Sequence, residues 1–434
     1  MALDRRRFAK SLTGIVGAAL AGGPAHASAQ AGRAGAAPAV PPATGSTPAV
    51  PAAPARAASR LAPTKVTRIR LFYPQNYDRN GPQAFPQSNM VVLVDTEMIW
   101  QAAFMDGFYS PGKERLHALG AIDLALWDIK GKALGAPLYQ LFGGKAREHI
   151  ELYATNGLPP GLVAAQDAAA MTLKDRAART MAAGYRVFRV DSDILPNPGG
   201  PAGARRGPAQ GATFDSRSHI RLIAEAAAQM REGVGPDGNW MIDLHQKFDF
   251  HEAVEVCRAL EPHRPFIVED PLREEQFRTQ LPKLRVMTSV PLAPGEEWGT
   301  RADFSPLVEN RDIDFARVSL PNVGGITEML KIMAVCDTHR VGIVPHFTGP
   351  IATTGHMHTM MAFPGQVLME FNLGERPVPY LPEFLECRDG KVWSNDRPGL
   401  GVTIDERQLT FVEAITEGAP GATQRRLDGS LTHW

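Results

Sequence analysis

Three carboxylates follow three short apolar runs between residues 239 and 298. Asp243 ends the run in NWMIDLHQKF, Glu269 the run in FIVEDP, and Glu296 follows the run in PLAPGEEW. The distances between them, 26 and 27 residues, correspond to one strand, one helix and two loops. Because repeated parallel strands bring their C-terminal ends to one face, the spacing predicts that the three acids converge there.

Such a cluster has a definite chemical use. Three carboxylates at close quarters repel one another unless a cation lies among them. Oxygen ligands with open coordination positions suit Mg²⁺, or Mn²⁺ as the alternative, better than zinc. We therefore expect Asp243, Glu269 and Glu296 to bind one Mg²⁺ per subunit. The competing interpretation, that each acid only caps or flanks a helix, does not account for the common spacing.

From residue 149 onward, apolar runs alternate with helical segments, which is typical of a parallel α/β architecture. The candidate strands are residues 150–155, 185–190, 240–244, 266–269, 291–293, 315–319, 342–344 and 367–371. Eight such units predict a TIM-type α/β barrel. A doubly wound open sheet is the alternative, but no glycine-rich dinucleotide motif follows any strand.

Other segments frame this repeat. Residues 64–72 and 89–96 have the patterns of an antiparallel strand pair, and residues 116–134 have helical periodicity ended by Gly135-Ala136-Pro137. Residues 194–214, rich in Pro, Gly and Arg, interrupt the repeat after its second strand. That insertion is interpreted either as a substrate loop or as a tolerated disordered segment.

The N-terminus has the pattern of a processing segment. Arg5-Arg6-Arg7-Phe8-Ala9-Lys10 precedes an apolar run too short to span a bilayer, followed by small residues. This pattern resembles a twin-arginine export signal, and we assign residues 1–29 to it. Residues 30–63, rich in Ala and Pro, are predicted to be a disordered linker. The expected localisation is periplasmic or secreted.

The composition excludes several classes of partner. The formal net charge is zero, so nothing suggests nucleic acid or, after export, a membrane surface as a partner. The three cysteines, Cys257, Cys336 and Cys387, are widely spaced and form no metal or redox motif. The composition therefore points to neither nucleic acid nor a membrane as a partner.

Several motifs appear together and in a fixed order. They are ALGAIDLALWDIKGKALGAPLYQLFGG at residues 118–144, VEDP from Val268, PGEEW from Pro294, NVGGITEMLKI from Asn322, PHFTGP from Pro345 and MEFN from Met369. Together they resemble the enolase superfamily (mandelate racemase/muconate lactonizing enzyme-like), in particular its sugar-acid dehydratase branch, which includes mannonate and galactonate dehydratases.

The resemblance implies an architecture and a cofactor. The fold would be a (β/α)7β TIM-type barrel, residues 146–384, with an α+β capping domain formed by residues 64–145 and 385–434. The N-terminal part of that domain is shortened, because relatives have a longer segment between the strand NMVVLVDTE and the motif MDGFYSPG. Magnesium is the implied cofactor, and assembly as a homo-oligomer is expected.

The resemblance also implies catalytic roles. In this family a metal-bound carboxylate substrate loses the proton on the adjacent carbon, and the metal stabilises the enediolate. His245, two residues after Asp243 and on the same face if the strand continues, matches the acid that protonates the departing hydroxyl. His346 matches a catalytic or carboxylate-binding histidine. Glu370 matches an acid that hydrogen-bonds substrate oxygen, with a salt-bridging role as the alternative.

The second and sixth strands depart from the commonest family pattern. Arg189 stands near the position of a lysine base, and we assign it to substrate or transition-state charge. Asp191 is a base, an additional ligand or, preferably, a structural partner of Arg189. Ser319 stands where relatives carry an aspartate that supports the histidine of the seventh strand, so the identity of the base stays open.

Four further residues are expected to have structural roles. Asp270 and Glu297, each next to a ligand, should point to the other side of their strands. His356 and His358 lie in a helical segment and are expected to be packing or surface residues.

These features favour a magnesium-dependent dehydratase of a sugar acid. The alternatives are a racemase or epimerase of a hydroxy acid on the same fold, and a catalytically impaired protein that binds metal or sugar acid.

Overall fold

The computed structural model describes residues 69–74, 91–94, 112–155, 157–195, 213–273, 275–372, 378–411, 424–428 and 431–432. Its strands are β1 Ile69–Pro74, β2 Val91–Val94, β3 His149–Tyr153, β4 Val187–Asp191, β5 Thr213–Phe214, β6 Asn239–Asp243, β7 Ile267–Glu269, β8 Leu292–Ala293, β9 Phe315–Ala316, β10 Gly342–Ile343, β11 Met369–Glu370, β12 Glu386–Arg388, β13 Lys391–Trp393, β14 Leu409–Phe411, β15 Gln424–Arg426 and β16 Leu431–Thr432.

The helices alternate with the central strands. They are α1 Lys113–Leu134, α2 Leu138–Leu141, α3 Ala165–Ala170, α4 Leu173–Ala182, α5 Ser216–Val234, α6 Phe250–Leu260, α7 Leu281–Arg285, α8 Arg301–Glu309, α9 Ile326–His339 and α10 Pro350–Ala362. Within the described ranges, none of them combines the length and the apolar character that a bilayer span requires.

All eight predicted barrel strands are present, most of them shorter than predicted. β4, β6, β7 and β8 pair in parallel, as do β9 with β10 and β11 with β3. The Arg317 amide donates to Pro294 O at 3.1 Å and links β9 to the end of β8. A parallel bridge between Ile343 and Val367 links β10 to the β11 segment.

The barrel interior is one apolar cluster with one member from, or next to, each of the eight strands. Its members are Tyr153, Val187, Met241, Ile267, Ala293, Phe315, Val344 and Leu368. Eight strands can share one central cluster only when they surround a common axis. The prediction of a barrel rather than an open sheet is therefore confirmed.

The polar layer of the barrel follows from the two-residue period of a strand. Two residues after an interior apolar side chain, the next inward side chain lies closer to the C-terminal end of the strand. The polar layer, at the C-terminal ends of the strands, is formed in this way by the residues two positions after Val187, Met241, Ile267, Phe315 and Val344. Those residues are Arg189, Asp243, Glu269, Arg317 and His346.

The predicted antiparallel pair is also present. β1 pairs with β2, with Ile69 opposite Val94, and β14 pairs with the other side of β1, with Phe72 opposite Phe411. The C-terminal range 385–434, predicted to belong to the capping domain, is thus divided. β14 joins the capping sheet, whereas β13 pairs antiparallel with the barrel strand β3, with Val392 opposite Ile150.

Helix α1 lies across the loops that follow β9. A Cβ at Gly120 would lie 2.9 Å from Pro321 O, so only glycine permits this approach. Asp123 accepts hydrogen bonds from the amide of Thr327 at 2.9 Å and from its hydroxyl at 2.5 Å. The helix ends at Gly135, whose φ of 65° is left-handed.

Several predictions lie outside the described residues. They concern the export signal at 1–29, the linker at 30–63, most of the insertion at 194–214 and the shortened part of the capping domain between β2 and α1.

Candidate active site

The three predicted ligands lie on the same rim of the barrel. Asp243 and Glu269 end β6 and β7 and are register partners, and both are fully buried. Glu296 lies three residues after β8, beyond Gly295, whose φ is 122°. A Cβ on Gly295 would lie 2.8 Å from the Phe304 ring, so this turn requires glycine. The three acids that the sequence spacing singled out therefore end or follow consecutive strands, but among the described residues their oxygen atoms do not form one group within 4.8 Å.

Two buried arginines connect these acids. Arg189 Nη2 donates to Asp243 and, at 2.8 Å, to Glu269, while Nη1 donates to Thr155 O. Arg317 donates through Nη1 to Glu269 at 3.1 Å and through Nε to Glu296 at 3.0 Å. Each guanidinium therefore lies between at least two carboxylates.

Both arginines keep their charge. Burial alone would lower the pKa of each guanidinium, but Glu269 and the other nearby carboxylates raise it well above its usual value. Their contacts are charge-assisted hydrogen bonds, which are stronger than neutral ones. Arg317 was not predicted from the sequence to be a site residue. Its position two residues after Phe315, whose side chain faces the barrel interior, could have indicated that Arg317 also faces inward.

Carboxylates outnumber fixed cations around this rim. The acids are Asp191, Asp193, Asp243, Glu269, Asp270, Glu296 and Glu370, against the cations Arg189, Lys247 and Arg317 and the His245 ring described below, among the described residues. Burial, together with Asp243 and Glu370, raises the pKa of Glu269 to about 7 despite both arginines. Burial and Glu296 raise the pKa of Asp270 well above its usual value. The rim thus has an excess of negative charge that a further cation would relieve.

His245 lies between carboxylates on both sides of its ring. Its Nε2 is 2.9 Å from Asp243 Oδ2, and its Nδ1 is 2.7 Å from Asp193 Oδ2 and 3.2 Å from Asp191 Oδ1. Burial would lower the pKa of His245, but Asp243 and Asp191 raise it well above 6.5. The ring is therefore an imidazolium that can donate a proton.

His245 reaches the site by a different route from the one considered above. The shared face depended on the strand continuing through His245, but β6 ends at Asp243. His245 and Gln246 have left-handed φ values of 46° and 55°. A turn, fixed by a hydrogen bond from the His245 amide to Asp243 Oδ1 at 2.8 Å, brings the ring back to the acid.

Asp193 and Lys247 are site residues that the sequence reasoning missed. Asp193 lies in the single turn Ser192–Ile194 after β4 and forms an ion pair with Lys247. Burial lowers the pKa of Lys247 to about 8, with Asp191 opposing the shift. Asp191 itself contacts His245 and the Asp193 amide, and the charge of Arg189 helps to lower the pKa of Asp191, in keeping with the expected role as its partner.

This corner of the rim has the ligand types of a metal site. Among the residues that the structure describes, Asp191, Asp193 and His245 have ligand atoms that all lie within 4.8 Å of one another.

His346 lies on the opposite part of the rim. Its amide donates to Val318 O at 3.0 Å, which brings it alongside Ser319. Its Nε2 is 3.5 Å from Glu296 Oε2, and its buried Nδ1 has no hydrogen-bond partner within the described part of the chain. His346 is therefore a histidine with an unused ring nitrogen beside a predicted ligand.

Glu370 belongs to the arginine network. It accepts hydrogen bonds from Thr155 Oγ1 at 2.7 Å, from Arg317 Nη2 at 3.0 Å and from the Phe347 amide at 2.9 Å. Burial would raise the pKa of Glu370, but Arg317 and Arg189 lower it to about 2. The carboxylate is therefore ionised and salt-bridged, the alternative given for it above.

Two expectations for neighbouring residues have different outcomes. Asp270 does not point away from the cluster: its φ is 38°, and Oδ2 lies 3.8 Å from Arg317 Nε while Oδ1 accepts from the Gly295 amide at 2.9 Å. A left-handed residue breaks strand alternation, which is why the prediction failed. Glu297 forms an ion pair with Lys113 at 2.8 Å and has a structural role, as predicted.

The two histidines of α10 have packing roles, as predicted. Both are buried, and His356 and His358 accept backbone hydrogen bonds from Leu320 at 3.4 Å and Tyr139 at 3.3 Å.

Comparison with known families agrees with this architecture. Residues 172–408, more than half of the chain, match the family described as enolase C-terminal domain-like. Residues 89–143 match the mandelate racemase/muconate lactonizing enzyme N-terminal domain.

Individual proteins with known names are also similar to the chain. D-galactonate dehydratase of Xanthomonas oryzae pv. oryzae is 32% identical over 346 residues, which cover 77% of this chain and 84% of that protein. D-galactonate dehydratase of Pectobacterium atrosepticum is 30% identical over 348 residues, with the same coverage of both chains.

Among solved structures, an enolase from Pantoea ananatis with bound D-gluconate and magnesium is 27% identical, with a TM-score of 0.65, and the match covers 77% of this chain and 83% of that one. A member of the enolase superfamily from Salmonella Typhimurium is also 27% identical, with a TM-score of 0.63 and coverage of 72% and 83%. With the barrel and the rim of acids described above, these matches lead to one conclusion: the chain is an enzyme of the enolase superfamily and belongs to its sugar-acid dehydratase branch.

Proposed function

We propose that this enzyme is a magnesium-dependent dehydratase that converts a sugar acid to a 2-keto-3-deoxy acid. The observation that carries the proposal is the position of two histidines. His245 follows the third barrel strand and His346 the seventh, so three of the eight strands lie between them on each side of the rim. A substrate between them would meet a proton donor on one side and a proton acceptor on the other.

The residues present fit a magnesium ion. Asp243, Glu269 and Glu296 offer oxygen atoms only, and the surplus of carboxylates over fixed cations favours a further positive charge among them. The related enolase with bound D-gluconate and magnesium supports this assignment. Bound there, Mg²⁺ would supply stabilisation of the negative charge that develops on the substrate carboxylate.

His245 acts as the acid in this proposal. As an imidazolium with Asp193 at Nδ1 and Asp243 at Nε2, it has a proton to give to the departing β-hydroxyl. His346, with 28% of its side chain exposed, takes the α-proton from the other side.

Arg189 acts through other residues. All of its described hydrogen bonds go to Thr155, Asp243 and Glu269, so it holds those groups in position instead of abstracting a proton. Glu370 holds Arg317 in the same manner.

Further parts of the proposal concern the cell and the assembly. The N-terminal arginine motif supports export through the twin-arginine route, and the working form is a homo-oligomer. Replacement of Arg5-Arg6 by Lys-Lys should leave the enzyme in the cytoplasm. The amount of enzyme in the periplasmic fraction is compared between cells that produce the unmodified enzyme and cells that produce the variant. Light scattering of the purified enzyme gives the subunit number.

The activity is tested with a panel of aldonic and uronic-derived acids in the presence of magnesium. At least one acid should give a 2-keto-3-deoxy product, detected as its semicarbazone or by NMR. If no acid in the panel yields such a product, the proposal is rejected.

Solvent deuterium separates the two steps. His245→Asn should still exchange the α-hydrogen of the active acid with D₂O while losing elimination, and His346→Asn should lose both. His251→Asn, on the exposed first turn of α6, is the matched control and should retain both. Exchange without elimination by the unmodified enzyme would favour the racemase alternative.

A further inference from the structure

A third histidine, His117, lies in the first two turns of α1 over the loops after β8 and β9. Lys113, four residues before it, pairs with Glu297 at 2.8 Å, and Gly120, three residues after it, lies against Pro321. Residues at these spacings share one face of a helix. His117 is therefore directed at the loops that carry Glu296 and Ser319.

The ring of His117 carries an unused polar atom. Its Nε2 is buried and has no hydrogen-bond partner among the described residues. Burial lowers the pKa of His117, Glu297 and Glu114 oppose the shift, and His346 adds to it, so His117 lies within electrostatic reach of the active-site histidine. Apolar packing satisfies the carbon atoms of an imidazole but leaves such a nitrogen unsatisfied.

Within the described ranges, three other polar atoms, in the loops after β9 and β10, are also buried without a hydrogen-bond partner. Ser319 Oγ, His346 Nδ1 and Thr348 Oγ1 lack partners within the described part of the chain. Ser319 follows β9, two residues before Pro321, against which Gly120 of α1 packs, and His346 and Thr348 follow β10. A wall with several unused donors and acceptors is suited to a ligand that has several hydroxyl groups.

We propose that His117 hydrogen-bonds a hydroxyl group of the sugar-acid chain, distal to the carboxylate, and so makes the enzyme selective for long polyhydroxy acids. The carboxylate end belongs with the acids at 243, 269 and 296, and the α-carbon with His346. The remainder of the chain then extends past Glu297 toward α1, where His117 meets it. This inference rests on the proposed dehydratase function and adds its specificity.

Two variants test the inference with substrates of different length. His117→Phe should raise the KM for the active six-carbon acid about tenfold and leave kcat unchanged, because one hydrogen bond distant from the reacting carbon is lost. His117→Asn, which keeps a donor, should raise it less. The inhibition constant of glycolate, a two-carbon acid that has no distal hydroxyl, should be the same in all forms. His251→Phe is the control on an exposed helical turn.

A spectroscopic measurement on the unmodified enzyme does not depend on the fold of a variant. In a long-range ¹H–¹⁵N spectrum of the histidine rings, assigned with His117→Asn, saturation with D-gluconate in the presence of magnesium should shift the His117 Nε2 resonance. Saturation with glycolate should leave it in place.

The outcomes are distinguishable. Equal losses of affinity for gluconate and glycolate, or an unshifted His117 resonance at saturation with gluconate, would overturn the role of His117 while leaving the dehydratase intact. Absence of binding and turnover for every acid in the panel would reject the proposed function and, with it, this role.

Discussion

The guanidinium of Arg317 holds two acids from different parts of the rim, with Nη2 3.0 Å from Glu370 Oε2 and Nε 3.0 Å from Glu296 Oε2. The first acid ends the last barrel strand, and the second lies in the loop after β8. A single buried side chain thus connects distant segments of the barrel, and its removal would leave several carboxylates without a counter-charge.

Arg317→Met should lower the free energy of unfolding by about 3 to 5 kcal/mol, because it leaves buried charges unpaired. Arg317→Lys should recover part of the loss, since lysine restores the charge but not the planar fork. Urea unfolding monitored by circular dichroism measures both.

The control for this pair is Arg340→Met, because Arg340 is an exposed arginine with 78% of its side chain in solvent. It should change the free energy by no more than about 0.5 kcal/mol. If Arg317→Met is no more destabilised than this control, the network does not stabilise the barrel.

Asp191→Asn should move the alkaline limb of the activity profile to lower pH. His245 must be protonated to act as an acid, so activity falls as pH rises through its pKa. Asp191 is one of the charges that raise that pKa, and without it the limb should move down by about one unit. The kcat/KM profile between pH 6 and pH 10 measures the shift.

The raised pKa of His245 also makes the stability of the fold depend on pH. Because the folded pKa of His245 is raised, its contribution is fully present below pH 6.5 and is lost as pH rises through the folded value. The control is Asp237→Asn, on an exposed loop, which should have the same kcat/KM pH profile as the unmodified enzyme. An unmoved limb in Asp191→Asn would show that His245 is not the titrating acid.

Glu370→Gln should make stability less sensitive to acid. Glu370 has a folded pKa of about 2 against an ordinary glutamate pKa of 4.5, so its ionised form stabilises the fold above pH 4.5. That stabilisation, about 3 kcal/mol at most, is lost as pH falls from 4.5 toward 2. At pH 7 the variant should have a smaller free energy of unfolding than the unmodified enzyme. Between pH 5 and pH 3 its free energy of unfolding should fall by less. Parallel pH dependence in both proteins would contradict the pairing of Glu370 with Arg317.

Glu296→Gln should weaken magnesium binding about tenfold or more, because a neutral amide replaces a charged ligand. A chelator should abolish turnover by the unmodified enzyme, and added Mg²⁺ should restore it. Glu297→Gln, the adjacent residue paired with Lys113, is the matched control and should keep normal affinity. Isothermal titration with MgCl₂ compares the three proteins, and equal affinities would exclude Glu296 as a ligand.

The barrel was predictable because its signal is repeated. Each strand carries a short apolar run, and the spacing of Asp243, Glu269 and Glu296 repeats the length of one βα unit. Strand alternation also accounts for Arg189, which lies two residues after Val187 on the inward face. The same rule applied to the sixth strand would have identified Arg317.

The contacts of His245 were not predictable in the same way. They depend on left-handed residues at positions 245 and 246 and on the short turn that carries Asp193. Left-handed residues and short turns do not recur at a regular spacing, so no periodic pattern in the sequence predicts them. The left-handed conformation of Asp270 misled the prediction for the same reason.

The pairing of β14 with β1 joins segments that are more than three hundred residues apart in the chain. During synthesis, one edge of β1 must therefore wait, without its neighbour, until residues 409–411 have emerged from the ribosome. This sheet is consequently completed only after every strand of the barrel has been synthesised.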